Sequence, residues 1–445
     1  MRILKSQMLF AIFVLALPVQ ASALTIAEAL QMTLDGNPSL QAKKAERAAA
    51  EANMKVYRGG LFPELDATGS YAVNHIKYDN SKKVNAHPRS ASLVLSQKIF
   101  NGGKTVSALR SARSTLKAAE ADLKSTEQNT LLAAAEVYLN VLRDKQVLDL
   151  NRFQVDVLRK QLEATKSRFE LGDVTKTDVS QAEARLAAAK AAAVAAEAQL
   201  IASRASFEEV VGTSPDNLKW PTLETNIPTE LDSIMSQVMA QHPLIAKAVA
   251  TLAAQKYKVT EARGGYLPTV TAEASLTRSE GSYSVFGAGN SDQSQLMLNV
   301  SLPLFRGGST VNQVNSELAS KVQAERNYYT VRRQVRRELV DAFHNYRTAQ
   351  AELSSRREAI QASKLALEGV KKEAEVGTRT VLDVLDAEQE HMQAQVDEVS
   401  ARHAAVLDVF RLLAAMGVFT EADFPTYFPT VAANDKAGDK AKIEK

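Results

Sequence analysis

Two stretches of this chain, Gly103 to Gly172 and Gly308 to Gly377, each span 69 residues without a proline. The first has no internal glycine and the second only Gly369. Such stretches read as uninterrupted helices, and at 1.5 Å per residue each is a rod of roughly 100 Å. Composition agrees: aromatics are only 6% of the chain, while Ala, Gln, Glu, Lys and Arg fill its body. That balance favours long helices over a layered aromatic core. Past each glycine the chain turns and runs back as a second helix. There Val179, Ala182, Leu186, Ala189, Ala193, Ala196 and Leu200 alternate by threes and fours, which is a heptad seam. Val155, Leu158, Leu162, Thr165 and Phe169 repeat the spacing on the outgoing arm. Each rod and its return helix should form an antiparallel coiled-coil hairpin.

The chain also repeats itself at an offset of 205. Pro38 matches Pro243, Arg58-Gly59-Gly60 matches Arg263-Gly264-Gly265, and Pro63 matches Pro268. Phe100 matches Phe305, Gly102-Gly103 matches Gly307-Gly308, and Asn140 matches Asn345. Gly172, Asp178 and Gly212 match Gly377, Asp383 and Gly417. A gapless series of this kind means two copies of one structural unit. The copies are placed at 24–212 and 231–419, with a proline-containing link at 213–230 and a polar, lysine-rich tail at 420–445.

Each copy opens with a helix-forming stretch, Ile26 to Tyr57 and Leu231 to Ala262, that ends at Arg-Gly-Gly. Glycine after the last turn is a common helix stop. The apolar period then drops to two. Leu65, Ala67, Tyr71 and Val73 alternate with Glu64, Asp66, Thr68 and Ser70. Leu296, Leu298, Val300, Leu302 and Leu304 alternate with Gln295, Asn299 and Ser301. Strands are expected at 61–78, 90–100, 266–278 and 294–305, each with one apolar and one polar face. The hairpin helices are expected at 104–171 and 173–211 in the first copy, and at 309–376 and 378–416 in the second.

Residues 1–23 have the form of a signal peptide. Arg2 and Lys5 are its basic end, Met8 to Leu17 its apolar run, and Ala21-Ser22-Ala23 its cleavage site. The net charge of +3 falls to +1 once Arg2 and Lys5 leave with the leader, which argues against a nucleic-acid partner. Three Arg-Gly-Gly triplets stand at helix–strand junctions and so do not read as an RNA-binding tract. There is no cysteine, hence no disulfide, thiolate metal site, cysteine nucleophile or lipoprotein anchor. The histidines are scattered, and neither a Walker loop nor a nucleophile elbow is present. No enzyme is expected.

Four strands cannot close a barrel, because the smallest bacterial barrels need about eight. An open edge is not tolerated in lipid. Either the strands form a soluble sheet or several chains pool them. Here the sequence resembles the TolC family of outer-membrane channel-tunnels. The marks are Phe100-Asn101-Gly102-Gly103, Leu304-Phe305-Arg306-Gly307-Gly308 and the run from Val376 to Asp386, together with the duplication. The resemblance covers roughly Leu24 to Phe419. It implies a mainly α, internally duplicated chain with four transmembrane β-strands. Three chains would build a twelve-stranded outer-membrane β-barrel continuous with a long periplasmic α-helical barrel of coiled-coil hairpins. It further implies passage of secreted proteins (type I secretion) or small toxic molecules. A periplasmic adaptor and an inner-membrane ABC or proton-driven transporter would be the partners, outer-membrane lipid the surroundings, and no cofactor would be bound. The competing reading is a non-channel periplasmic coiled-coil scaffold or surface adhesin. An outward strand face without charged residues favours the channel.

Asp383 and Asp386 are three apart and share a helix face. By spacing alone they read as a capped helix start, since Thr380 and Asp383 have capping-box spacing. The resemblance matches them instead to aspartates lining a periplasmic constriction, where threefold copies form carboxylate rings that bind cations. It matches Thr177, Asp178 and Arg379 to residues tying neighbouring coiled coils shut, and Leu171, Gly172, Val376 and Gly377 to the tip that adaptors engage. One position departs: where the family's best-known member has a tyrosine, this chain has Ala374, so the closing network should be thinner.

Overall fold

The structure, a computed structural model, describes residues 24–77, 83–221, 230–284 and 287–420. The leader, the centre of the link and all but the first residue of the tail lie outside the described residues.

Each copy opens with two short helices where the sequence pattern predicted one. α1 (Ile26–Gly36) and α2 (Pro38–Gly59) part at Asn37, and α5 (Leu231–Gln241) and α6 (Pro243–Arg263) part at His242. Proline cannot donate to the preceding turn and pushes the residue before it out of the helical region. Asn37 and His242 accordingly sit at φ −67°, ψ 121° and φ −60°, ψ 132°. Both then cap the second helix: Asn37 Oδ1 accepts the Ser39 N–H at 3.0 Å, and His242 Nδ1 accepts that of Leu244 at 3.2 Å.

The hairpin arms are α3 (Lys104–Glu170) with α4 (Lys176–Val211), and α7 (Ser309–Glu375) with α8 (Val381–Met416). Both long arms have 67 residues and both return arms 36. Ala182 and Leu186 of α4 are buried with Val155 and Leu158 of α3, Thr165 is buried nearer the turn, and Leu200 joins the main core. Phe169, expected in that seam, is instead 45% exposed at the last turn before the loop. By length and composition α4 could cross a membrane. Its apolarity comes mainly from alanines, of which Ala182, Ala189, Ala193 and Ala196 lie in the seam while the others are mostly exposed, and charged residues from Lys176 to Glu209 recur along it.

The helices form one layer. Along one half of its length α2, α3, α6 and α7 lie side by side, and along the other α4, α3, α8 and α7. The shorter helices therefore stack end to end. Asn37 Nδ2 reaches from the start of α2 to the Val210 carbonyl oxygen at the end of α4, 3.1 Å away. Gly417, at φ 77° after α8, abuts the start of α6, and a Cβ there would lie 3.0 Å from Pro243. One carboxylate fastens three helices: Asp122 on α3 binds Lys43 of α2 at 2.9 Å and Lys247 of α6 at 2.7 Å. The main core sits at these junctions, where Leu30, Leu131, Tyr138, Leu139, Phe207, Phe410 and Leu413 are buried together. The Tyr138 hydroxyl lies 2.8 Å from the carbonyl oxygens of Leu24 and Lys219, which pins the chain start and the link.

Four strands form an antiparallel sheet in the order β1 (Glu64–Tyr71), β4 (Arg89–Asn101), β5 (Thr269–Ser284), β6 (Gly287–Ser301). The expected strand over 61–78 begins only after Pro63 and divides. Ala72 donates to the Pro88 carbonyl, proline cannot return a bond, and the ladder ends there. Beyond it β2 (Asn74–Lys77) pairs only with β3 (Lys83–Ala86). The strand expected at 266–278 starts after a 3-10 turn at Gly264–Tyr266 and Pro268, and runs on to Ser284. The one expected at 294–305 begins at Gly287 and ends before Pro303. The Arg-Gly-Gly and Asn-Gly-Gly junctions of the two copies meet backbone to backbone. A Cβ on Gly102 would lie 2.3 Å from the Gly264 carbonyl oxygen, so no side chain fits.

Register separates the sheet faces. Leu65, Leu95, Ala274 and Leu296 form one cross-strand row, and Ala67, Leu93, Leu276 and Ser294 the next. The other face carries Glu64, Ser96, Glu273 and Met297, then Asp66, Val94, Ser275 and Gln295. The apolar face is bare: Leu296 is 83% exposed, Leu298 61% and Val300 65%. It is not free of charge throughout, as the sequence suggested. One row beyond Leu276, Arg278 pairs across from Asp292, and then Arg89 from Glu280, which ends the apolar band.

Phe207→Ala should cost about 3–5 kcal/mol by emptying the core between α1, α3 and α4. Tyr138→Phe should cost about 1–2 kcal/mol by leaving a part-buried carbonyl oxygen and the Lys219 N–H with one partner fewer. Denaturant unfolding of the two variants should rank them in that order, and equal midpoints would place the main core elsewhere.

Candidate functional site

The residues singled out by sequence cluster where the hairpins turn. Leu171 caps the end of α3 and Val376 that of α7, and Gly172 and Gly377 follow at φ 81° and 82°. That left-handed conformation lets Asp173 and Thr378 donate back to Arg168 and Glu373, closing each helix end. It also turns Leu171 and Val376 outward, 78% and 76% exposed. Each thus stands exposed at the end of a rod of about 100 Å.

After each turn the chain enters the return helix through the same capping box. Asp178 Oδ2 accepts the Thr175 N–H and hydroxyl, both at 2.8 Å, and Thr175 Oγ1 accepts the Asp178 N–H at 3.3 Å. Asp383 and Thr380 repeat this at 2.8, 2.8 and 3.2 Å. These bonds hold both carboxyls below the usual carboxylate range: the Thr175 backbone bond is the main cause for Asp178, the Thr380 backbone bond for Asp383. Nearby Arg168 and Arg379 act in the same sense. Thr177 is exposed one residue before Asp178.

Arg379 bonds within its own hairpin, its Nε donating to Glu373 Oε2 at 2.8 Å. Asp386, one helical turn past Asp383, points elsewhere. Its Oδ1 accepts from Arg185 Nη2 on α4 at 2.6 Å. That ion pair joins the two hairpins of one chain. Beneath it Val155, Leu158, Ala182 and Leu186 of the first hairpin pack on Val381 and Leu385 of the second.

Thus Asp383 and Arg379 share the start of α8, Asp386 meets Arg185 of the neighbouring hairpin, Asp178 is engaged by the start of its own helix, and Leu171 and Val376 stand exposed at the turns. Sequence reasoning missed Arg185, Glu373 and Thr175. Thr175 had a readable signal, because Thr175 and Asp178 repeat the spacing of Thr380 and Asp383 at the offset of 205. Arg185 had none: its counterpart in the second copy is Glu390, and that of Asp386 is Gln181. The hairpins differ in sequence where they touch. Among the described residues no cluster of His, Cys, Asp or Glu is arranged to hold a metal ion.

The sequence model of the family described as outer membrane efflux protein matches residues 29–213 and 234–418, one match per copy. The chain is 29% identical to the outer membrane efflux protein BepC of Brucella suis, over 89% of this chain and 86% of that one. It is 26% identical to the outer membrane protein TolC of Escherichia coli, over 87% and 81%. Its fold superposes on the crystal structure of the Campylobacter jejuni CmeC outer membrane channel with a TM-score of 0.79, at 17% identity, covering 88% of this chain and 85% of that one.

The caps make the first turn of α8 sensitive to acid. Asp383 titrates below its ordinary value of 3.8 when folded, so its contribution is complete above that value and is lost as pH falls through the depressed one. Hydrogen exchange of 380–385, corrected for intrinsic rates, should therefore be flat from about pH 7 to 5 and rise only below 3.8. Asp383→Asn should raise exchange at neutral pH and remove the acid step. A step near pH 6 in the unmodified chain would contradict this assignment.

Proposed function

The chain belongs to the outer membrane efflux protein family, a family of export channels, and we propose that three copies of it close into one duct. It is the outer-membrane channel of a tripartite export system, a conduit without catalysis that extends from the outer membrane into the periplasm.

The observation that carries the trimeric reading is that sheet and helical layer are open on the same two sides. β1 and β6 are the unpaired sheet edges. β1 follows α2, which with α4 forms one edge of the helix layer, and β6 leads into α7, the other edge. The two free edges are different surfaces, so copies join head to tail, and such contacts make a ring when the rotation between neighbours closes. Three copies supply twelve strands, which satisfies every edge bond in lipid. Leu296, Leu298 and Val300 then face hydrocarbon, and Glu64, Asp66 and Glu273 line the lumen. The twelve antiparallel helical columns continue that wall as an α-helical barrel.

At the far end Asp383 and Asp386 of three chains encircle the axis as a cation-binding constriction. Thr177, Asp178 and Arg379 act as tethers between neighbouring hairpins when the end is closed. Leu171, Gly172, Val376 and Gly377 form the tip that a periplasmic adaptor engages. An inner-membrane ABC or proton-driven transporter supplies energy and chooses the cargo, secreted protein or small toxic molecule. The bare apolar sheet face disfavours the scaffold or adhesin reading, since a soluble sheet of this size would leave it in water.

Leu298→Arg places a cation toward lipid, at a cost of about 2–4 kcal/mol near the bilayer midplane. Asn299→Arg, one residue on, faces the lumen and should be far milder. Trimer recovery from outer-membrane fractions should fall for the first and persist for the second. Equal loss in both would reverse the facing, and recovery of the parent chain as a soluble periplasmic monomer would end the barrel reading.

The tip is tested by bilayer recording. Removing both carboxylates with Asp383→Ala and Asp386→Ala should abolish block by multivalent cations from the periplasmic side. Arg379→Ser should raise conductance while the block survives. Persistence of the block without the carboxylates would leave them as helix caps alone.

A further inference from the structure

Within one chain the two repeats meet along the middle of the rods, where α8 of the second packs on α3 of the first. This seam is apolar: Leu131, Leu139 and Leu142 of α3 are buried with Leu407, Phe410 and Leu413 of α8. Its register is marked by Arg411 of α8, which pairs with Glu136 of α3 at 3.7 Å. The offset of 205 maps the seam onto the two outer edges of the helix layer, α7 on one side and α4 on the other. There the residue types change. Leu131, Leu139 and Leu142 become Arg336, His344 and Arg347, while Leu407, Phe410 and Leu413 become Ala202, Ala205 and Glu208. Glu136 becomes Asp341, and Val409, also buried in the seam, becomes Arg204. These counterparts are all exposed. Among the described residues Arg204, Glu208, Arg336 and Asp341 have no ion-pair partner within the chain. A row of leucines on an edge that meets water before assembly would invite aggregation, and charges do not.

We propose that copies of this chain join at mid-rod through a charged seam, in which Arg336 of one copy meets Glu208 of the next and Asp341 of the first meets Arg204 of the next. This rests on the ring of three copies above and deepens it by assigning residues that align neighbours far from the sheet. The repeat shifts the two helices of the seam by 205 in opposite senses, so the register of Arg411 on Glu136 carries over unchanged. It sets Glu208 level with Leu339, within one turn of Arg336, and Arg204 level with Phe343, within one turn of Asp341. The two pairs have opposite polarity. A neighbour displaced by one turn away from the sheet would bring Glu208 against Asp341 and Arg204 against Arg347, so the pattern selects register as well as partner. Exposed ion pairs contribute little singly and are screened by salt. The sheet therefore supplies most of the strength of the ring, and the charged seam its alignment.

The first test is position. Because the chain has no cysteine, full-length chains carrying Arg336→Cys and full-length chains carrying Glu208→Cys can be expressed together. A short thiol cross-linker applied to outer-membrane fractions should join the two kinds of chain, and should join neither kind to itself. Linkage of Arg336→Cys chains to one another, or none between the two kinds while the parent is trimeric, would overturn the seam and leave the ring standing. Recovery of the parent as a monomer would end the ring reading and this proposal with it. The second test is charge. Arg336→Glu and Glu208→Arg should each lower the temperature at which the extracted trimer dissociates at low salt. The double variant restores the pair with its sense reversed and should return that temperature toward the parent, which a packing role for either side chain would not do. Raising the salt should narrow the gap between the parent and each single reversal. Losses that simply add in the double variant, or that are unmoved by salt, would show that these charges do not face one another. Arg204→Glu and Asp341→Arg, alone and together, should repeat the pattern, and failure of this second swap would overturn the register.

Discussion

A backbone edge cannot be left unpaired in hydrocarbon, and most of this architecture follows from that requirement. Each missing hydrogen bond costs several kcal/mol in lipid, with no water to replace it. The sheet has two such edges, β1 and β6, and a single chain of four strands cannot bend them together. The edges lead directly into α2 and α7, so whatever closes the sheet also aligns the helix layer. In the proposed trimer, closure at one end would set the neighbour relations at the other, some 100 Å away along α3 and α7. The intervening rods carry no proline, and any kink in them would spoil that transmission.

Stability along the rods is unevenly distributed. Ion pairs such as Arg152–Glu197 and Lys166–Glu183 link α3 and α4 at equal distances from the turn, but their side chains are about half exposed. Pairs of that kind contribute about 0–1 kcal/mol each. A buried leucine such as Leu186 contributes roughly 1.5–3 kcal/mol. The register of each hairpin therefore comes from the heptad seam, and the ion pairs refine it. The short helices gather the strongest packing around the middle of the rods, where Tyr138, Phe207, Phe410 and Phe419 are fully buried. Arg402 stacks on Trp220 there, 4.5 Å from the ring centre, and so ties the link to α8. The tips have only the small cluster around Leu158 and Leu385. A rod fixed at its middle and lightly held at its end can move at the end without unfolding.

The sequence made the long helices and alternating strands legible because both are local signals: absence of breakers in one case, a period of two in the other. The short-helix breaks were also local, written in Pro38 and Pro243, but a single apolar pattern across each break concealed them. Strand limits were harder to place. Pro88 ends the β1 ladder from the opposite strand, a nonlocal effect, and Arg278 and Asp292 mark the end of the apolar band only once the cross-strand register is known. At the tip the capping boxes were readable from Thr-to-Asp spacing. The assignment of Asp386 was not. Its partner Arg185 lies 201 residues away in the chain and breaks the internal repeat.

That departure from the repeat is physically meaningful. In a gapless duplication each surface of one copy has an equivalent on the other, and equivalent helices meeting side by side would present like to like. The hairpin ends avoid this by placing an arginine on one and an aspartate on the other, at positions whose counterparts are a glutamate and a glutamine. Elsewhere the copies remain alike where both perform the same task, as in the glycine turns and the Thr–Asp caps. The hairpin ends are among the places where the copies differ, as Arg185 against Glu390 and Gln181 against Asp386 show. A lightly packed contact needs a directional element to define which surfaces meet. A half-exposed ion pair suits that task, because it supplies geometry and complementarity while adding little to the energy that opening must overcome.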